Sequence, residues 1–99
     1  MRRLKSNFRK NLIIPRELNN ENLIFFGKYK HFSCVASVEP ETGDIYISVS
    51  NGTKHIDLTK YETVEILDKF GIDECEIADI ESPAGDRVTR YFKTKVRAL

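Results

Sequence analysis

The chain has 99 residues, of which 40% are hydrophobic and 10% aromatic, and its formal net charge is +1. This length fits one domain with a modest core, and the composition is typical of a globular protein rather than a disordered one. No apolar run approaches the roughly 20 residues that a membrane helix needs, and no apolar segment follows the basic N-terminus, so we expect neither a membrane contact nor a secretory signal.

The small net charge conceals a strong division of charge along the chain. Residues 1–16 hold six bases and no acid, and residues 87–99 hold five bases and no acid. All 15 acids lie in residues 17–86, together with only five bases. Charge blocks of this kind indicate a charged partner or an internal pairing of the blocks.

The N-terminal residues and the first strand are predicted from their periodicity. Residues 1–11 show no hydrophobic period and are predicted to be a flexible basic arm, ahead of a single α+β domain over residues 12–99. The apolar run at residues 23–29 predicts a strand, with a bulge or bend at Gly27.

A three-stranded antiparallel meander is predicted next. Residues 32–38 and 45–50 alternate apolar and polar side chains, which is the period of a half-buried strand, and the Pro-Glu-Thr-Gly segment at 40–43 turns the chain between them. Asn-Gly at residues 51–52 favours a type I′ turn, so residues 54–58 are predicted as the return strand.

A single helix is predicted to follow the meander and to cover the apolar face of the sheet. Thr59 and Glu62 have the spacing of a capping box, and Gly71 lies where a helix commonly ends in a left-handed residue. Helical spacing gives one apolar face, formed by Tyr61, Val64, Ile66, Leu67 and Phe70.

The last third of the chain predicts a C-terminal hairpin, with strands at residues 74–81 and 87–96 around the turn at 82–86. On the second strand one face is a basic stripe with a single aromatic, formed by Arg87, Thr89, Tyr91, Lys93, Lys95 and Arg97. The predicted fold class is therefore α+β, an antiparallel β-meander packed on one helix and followed by a C-terminal β-hairpin.

The sequence predicts no catalytic site. Neither His31 nor His55 has zinc-motif spacing to a cysteine, no nucleophile elbow or phosphate-binding Gly-rich loop occurs, and the acidic residues 73–76 lack the spacing of a calcium loop. We therefore expect a protein that is not an enzyme, with no catalytic residue, metal or cofactor. Cys34 and Cys75 form no CxxC pair, and buried reduced thiols in a cytoplasmic protein are the expectation.

The first functional hypothesis is a small nucleic-acid-binding protein, regulatory or from a mobile element such as a phage. Lysine and arginine neutralise phosphates, and an interleaved tyrosine stacks on bases. Whether the nucleic acid is single- or double-stranded stays open. The candidate binding residues are Arg2, Arg3, Lys5, Arg9, Lys10, Tyr91, Lys93, Lys95 and Arg97.

A structural alternative explains part of the basic stripe by pairing within the hairpin. A hairpin closed around residues 83–85 places Arg87 opposite Glu81 and Tyr91 opposite Ile77. Lys93, Lys95 and Arg97 would then stay available. The alternative function is a protein-binding module or inhibitor that docks on another protein through its acidic strand or a sheet edge. A homodimer is also considered.

Residues 32–67 resemble the transcriptional coactivators typified by positive cofactor four, which bind single-stranded DNA. The matching residues run Gly-Thr-Lys-His-Ile-Asp-Leu-Thr at 52–59, followed by the helix through Leu67. The resemblance implies a dimer that packs through the helix and a curved sheet that holds single strands. In contrast to that family, the meander strands here carry almost no lysine or arginine, and a further hairpin follows the helix.

Overall fold

A computed structural model of the chain describes residues 5–10, 12, 14 and 22–94. These residues form one six-stranded sheet and one α-helix. The mixed α+β class, with a largely antiparallel sheet, is therefore confirmed. In chain order the elements are β1 (Lys5–Phe8), β2 (Leu23–Tyr29), β3 (Phe32–Val38), β4 (Ile45–Ser50), α1 (Lys60–Asp68), β5 (Glu74–Glu81) and β6 (Val88–Thr94).

The strands lie in the order β1-β5-β6-β4-β3-β2, so β1 and β2 form the two edges of the sheet in the described part of the chain. Neighbouring strands are antiparallel except β1 and β5, which are parallel. Because β4 and β5 both pair antiparallel with β6, they run in the same direction. Helix α1 forms the crossover connection from β4 to β5, and β6 then lies between these two strands.

The core lies between the sheet and α1. Alternate residues of the central strands point to the helix side and are almost fully removed from water. Ile66 and Leu67 of the helix pack against them. The largest fully buried side chains are Phe32, Phe92, Ile47, Leu67 and Val49.

Helix α1 begins with the predicted capping box. The Thr59 hydroxyl accepts a hydrogen bond from the Glu62 amide, and the Glu62 carboxylate accepts one from the Thr59 amide, both at 3.1 Å. The predicted left-handed Gly71 follows the helix, with φ of 69°. The predicted apolar face is rotated, because the helix meets the sheet through Ile66 and Leu67, which leaves Tyr61 62% exposed.

The predicted return strand at residues 54–58 is wrong. The Asn51 side chain instead organises residues 51–59 as a loop: its amide donates to the His55 carbonyl at 3.0 Å and accepts from the Thr53 amide at 3.2 Å. Such side-chain bonds to the backbone compete with strand pairing. The edge of β4 that the return strand would occupy pairs with β6.

The register between β5 and β6 also differs from the sequence prediction. Ile77 lies opposite Phe92, and Asp79 lies opposite Arg90. The prediction placed Tyr91 opposite Ile77 and is wrong by one residue. The observed register brings two large apolar side chains together in the core and places an acid opposite a base.

The described part of the predicted arm contains a strand. Lys5–Phe8 forms β1, which pairs in parallel with β5, and the Arg9 amide continues the ladder by donating to the Ile77 carbonyl at 2.8 Å. Strand β5 carries acids at Glu74 and Glu76, so a basic segment beside it is favoured electrostatically. Residues 1–4 and 11 of the predicted arm lie outside the described residues.

Candidate interaction surfaces

Four of the predicted nucleic-acid-binding residues, Arg2, Arg3, Lys95 and Arg97, lie outside the described residues. Lys5 is described only in its backbone, which pairs with Glu74. Lys10 follows β1 and is exposed. Among the predicted binding residues, side chains are described for Arg9, Lys10, Tyr91 and Lys93.

Arg9 and Lys93 are both engaged with acids of the protein itself. The Arg9 Nε lies 3.6 Å from a Glu76 carboxylate oxygen, and the Lys93 Nζ lies 3.8 Å from an Asp44 carboxylate oxygen. Lys93 also lies opposite Glu76 across the β5–β6 pair, and its Nζ is 5.8 Å from the centre of the Tyr46 ring. Lys93 is therefore in contact with acids of the protein itself, and its role in binding a partner stays a prediction.

Tyr91, predicted to stack on a base, is half-buried. It lies between Ala78 of β5 and Ser48 of β4, and burial raises the pKa of its hydroxyl. A ring enclosed in this way by two neighbouring strands presents less surface for stacking than an exposed one.

Arg90 has a structural role that the sequence analysis missed. Its guanidinium donates to both oxygens of Asp79, at 2.7 and 3.0 Å, and to the Leu58 carbonyl at 3.4 Å. The guanidinium carbon lies 5.8 Å from the centre of the Phe8 ring. Arg90 thus joins β1, β5, β6 and the residue before the helix cap. The alternation of acids and bases on the two strands was the available signal, but it required the correct register.

The edge of the sheet formed by β2 exposes a run of large apolar side chains. Strand β2 presents large apolar side chains to water on both faces, and Phe26 is 73% exposed and Ile24 52%. Its pairing with β3 is irregular between Leu23 and Phe25, so the bulge lies there and not at Gly27 as predicted. The exposed apolar residues of the strand are Leu23, Ile24, Phe25 and Phe26.

The Phe25 ring turns back over Gly27. A Cβ atom at Gly27 would lie 2.7 Å from the tip of that ring, so the ring occupies the space that any other residue would need. The same ring meets Phe70, which follows the helix, in an edge-to-face contact with 5.5 Å between the ring centres. Gly27 therefore allows Phe25 to bridge the edge strand and the helix end.

A cavity of about 140 Å³ lies beneath β2, between the sheet and the end of α1. Its apolar walls come from both layers, and Cys34 is a buried part of the lining. Two lysines and no carboxylate line it. The lining residues are Phe25, Lys28, Tyr29, Cys34, Ile66, Lys69 and Phe70.

Charged groups next to the cavity hold the β2–β3 turn on the helix. The Tyr29 hydroxyl donates to a Glu65 carboxylate oxygen, and this hydrogen bond raises the pKa of Tyr29 to about 12. The Lys30 ammonium donates to Glu62 at 3.0 Å. That bond, with the Thr59 amide, lowers the pKa of Glu62 to about 2.

Both cysteines are free and buried. Burial raises the pKa of Cys34, and it raises the pKa of Cys75 to about 11. Thiols of this kind carry little thiolate at neutral pH, and the thiolate is the reactive form. Within the described ranges, no group of three His, Cys, Asp or Glu residues is arranged to hold a metal ion.

No family model matches the chain, and no significant match is found among curated proteins or solved structures. The resemblance of residues 32–67 to the positive-cofactor-four coactivators therefore stays a prediction. The helix of the described residues is too short and too polar to cross a membrane.

Proposed function

We propose that this protein is a protein-binding module that docks on another protein through strand β2. The observation that carries the proposal is a seven-residue edge strand with four consecutive large apolar side chains exposed to water. Contiguous exposed apolar residues mark interaction sites on soluble proteins, whereas single ones are ordinary.

An edge strand also offers unpaired backbone groups. In the described part of the chain the β2 backbone pairs on one side only, with β3, so its other side presents N–H and C=O groups to a further strand. Proteins commonly protect such edges with short strands or charged residues. The stretch from Leu23 to Gly27 has no charge, and this favours addition of a partner strand.

The nucleic-acid hypothesis has less support from the described residues. Arg9, Arg90 and Lys93 lie in ion pairs with acids of the protein itself, and counterion release requires bases that neutralise phosphates instead. The hypothesis is still carried by the bases outside the described residues, Arg2, Arg3, Lys95 and Arg97, and by the exposed Lys10. It stays a prediction with its own test.

The remaining expectations accompany the docking proposal. A function without catalysis is supported by the high thiol pKa values and by β2, a surface suited to binding. A cytoplasmic location is supported by the two free cysteines, which are typical of reducing compartments. A homodimer formed by pairing of two β2 strands is the competing use of the same edge.

The proposal is tested by comparing the two exposed edge phenylalanines, Phe26 of β2 and Phe8 of β1, which are 73% and 67% exposed. Wild type, Phe26→Ser and Phe8→Ser are immobilised and exposed to lysate of the source cells, with and without nuclease treatment. Each retained protein is then purified, and its affinity for all three chains is measured by calorimetry.

We expect a partner that binds wild type and Phe8→Ser alike and binds Phe26→Ser at least about tenfold more weakly, as loss of an apolar interface anchor usually produces. A partner whose affinity is unchanged by Phe26→Ser contradicts the proposal. So does retention that disappears after nuclease treatment, since that result supports nucleic acid. Self-association lost in Phe26→Ser assigns the edge to a second copy of the chain.

A further inference from the structure

We propose that the partner of β2 is an extended segment with one large apolar side chain and a carboxylate on the same face, and that the apolar side chain occupies the cavity beneath β2. This inference rests on the proposed function and adds the chemistry of the partner. It follows from the volume of the cavity, its position and its charge.

The volume fits a single large side chain. An apolar cavity of about 150 Å³ in another protein is known to hold benzene, and this one measures about 140 Å³. Its walls are predominantly apolar, with aromatic rings from Phe25 and Phe70 and an aliphatic chain from Ile66. A phenylalanine or leucine side chain is therefore the matching occupant, and its burial supplies most of the binding free energy.

The position of the cavity matches the geometry of an added strand. Phe25, Gly27 and Tyr29 pair with residues of β3 that point into the core, so this set of β2 positions lies on the helix side. A strand added to β2 lies about 4.8 Å away, and every second side chain of it points to that same side. One such side chain is thus directed toward the layer that contains the cavity.

The charge of the lining indicates an acidic neighbour for that side chain. Lys69 lines the cavity and forms no ion pair with a described residue. Lys28 pairs with the exposed Ser33, so its side chain projects from the opposite face of β2. Lys30, by contrast, is committed to Glu62 at 3.0 Å. The Lys69 ammonium lies 5.2 Å from the centre of the Tyr29 ring, so its charge is held at the lining. An ammonium group beside an apolar cavity, with no ion pair among the described residues, favours a carboxylate on the occupant.

The walls are held in place before any partner binds. Tyr29 is fixed through its hydroxyl by Glu65, and Phe25 is fixed between Gly27 and Phe70. Preformed walls reduce the ordering cost that association must overcome. A short segment with the correct anchor is therefore expected to bind measurably.

The probe is a synthetic peptide, acetyl-Thr-Val-Phe-Thr-Glu-Val-Thr-amide, whose phenylalanine and glutamate lie two positions apart and share a face in a strand. Two matched peptides carry alanine in place of the phenylalanine, or lysine in place of the glutamate. Binding is followed by amide chemical shifts of the isotope-labelled protein. We expect shifts concentrated on β2, Cys34, Ile66 and Phe70, and about tenfold weaker binding of each matched peptide.

Protein variants separate the contributions of the cavity and the lysines. Cys34→Met extends a lining side chain into the cavity with a flexible apolar group, and we expect it to abolish the preference for phenylalanine over alanine while the fold is kept. Lys69→Met is expected to abolish the preference for glutamate over lysine, and Lys28→Met, on the opposite face of β2, is expected to leave it unchanged. Lys60→Met, at an exposed helix position outside the lining, is the control and leaves both preferences unchanged.

The outcomes distinguish this inference from the proposed function. If a partner requires Phe26 but neither peptide preference is observed, or Cys34→Met leaves the preference for phenylalanine intact, the cavity is not the anchor site and the inference fails alone. If 3-phenylpropionate binds the cavity as tightly as the peptide, the occupant is a free carboxylate and the peptide inference is overturned. If no partner depends on Phe26, the proposed function fails first.

Discussion

The two edge strands of the described sheet differ in length and in the polarity of their exposed side chains. Strand β1 is four residues long and mostly polar, and Arg9, which follows it, forms an ion pair with Glu76. Strand β2 is seven residues long, and its exposed side chains from Leu23 to Phe26 are all apolar. A short polar edge discourages strand addition, and a long apolar one invites it. Among the described strands, β2 is therefore the edge more suited to pairing with a further strand, as the proposed docking requires.

The comparison also explains much of the charge division along the chain. The basic residues beside β5 form ion pairs with acids of the protein itself, as Arg90 does with Asp79 and Lys93 with Asp44. At the β2 edge the lysines Lys28 and Lys69 have no such ion pair among the described residues. Internal ion pairs thus occur at both ends of the sheet, as between Lys30 and Glu62 beside β2, and Lys69 is the base at the cavity that has none among the described residues.

The largest effect on stability is expected from replacing Arg90, whose side chain joins β6 to β5 and lies beside Phe8 of β1. Arg90→Met removes three hydrogen bonds and leaves the Asp79 carboxylate without its bidentate partner, so we expect the free energy of unfolding to fall by about 2 kcal/mol. Urea unfolding followed by circular dichroism measures the change. Arg87→Met, which removes only an exposed pair with Asp86 at 3.9 Å, is the control and should change it by less than about 0.5 kcal/mol.

Equal stability of the Arg90 and Arg87 variants would show that the β1 side of the sheet does not depend on the Arg90 guanidinium. The account of β1 as a protected edge would then lose its main support.

A smaller effect is expected at Glu62, which ties the end of β2 to the helix. Its pKa is lowered from 4.5 to about 2, so the ionised group stabilises the folded state fully above about pH 4.5, and this contribution is lost as pH falls toward 2. Glu62→Gln keeps a capping-box side chain but removes the charge. The melting temperature of wild type should exceed that of the variant at neutral pH, and the difference should shrink between pH 4.5 and 2.

A difference in melting temperature between wild type and Glu62→Gln that is the same at pH 2 and pH 7 would contradict this assignment. It would mean that the Lys30–Glu62 contact does not depend on charge.

The apolar edge itself should contribute little to stability. Phe26 is 73% exposed, so Phe26→Ser removes little buried surface, and we expect the free energy of unfolding to change by less than about 0.5 kcal/mol. Denaturant unfolding of the variant beside wild type checks this. A loss well above that value would mean that Phe26 serves the fold, and its exposure would no longer indicate a partner.

The smallest effect concerns nucleic acid. If the bases outside the described residues bind DNA or RNA, affinity should fall linearly in log salt, and Lys93→Met should leave that slope unchanged because Lys93 already faces Asp44 and Glu76. Fluorescence anisotropy across a salt series measures the slope. A slope that drops by about one on this substitution would return Lys93 to the nucleic-acid surface.

The sequence predicts best the features that depend on near neighbours. The Thr59–Glu62 capping box and the left-handed Gly71 follow from spacings of a few residues, and both are present. The pairing of β4 with β6, rather than with residues 54–58, depends on residues far apart in the chain. Local periodicity contains no information about which of two strands takes a free edge.

The candidate site at β2 could not be predicted from local periodicity either, because the site depends on the order of the strands in the sheet. The apolar run at residues 23–29 is visible in the sequence, but an apolar run predicts burial, and only the strand order places β2 at an edge. The cavity joins residues from β2, β3 and the helix end that no local pattern relates, such as Phe25, Cys34 and Phe70.

Photo-crosslinking in the source cells tests the central claim most directly. Phe26→p-benzoylphenylalanine and Phe8→p-benzoylphenylalanine place the same reactive group on the two edge strands, and crosslinked products are identified by mass spectrometry. The account predicts a crosslink from position 26 to a different polypeptide, at an extended segment with an apolar residue near an acid, and none to that polypeptide from position 8. Equal crosslinking from both positions, or none from position 26, would contradict it.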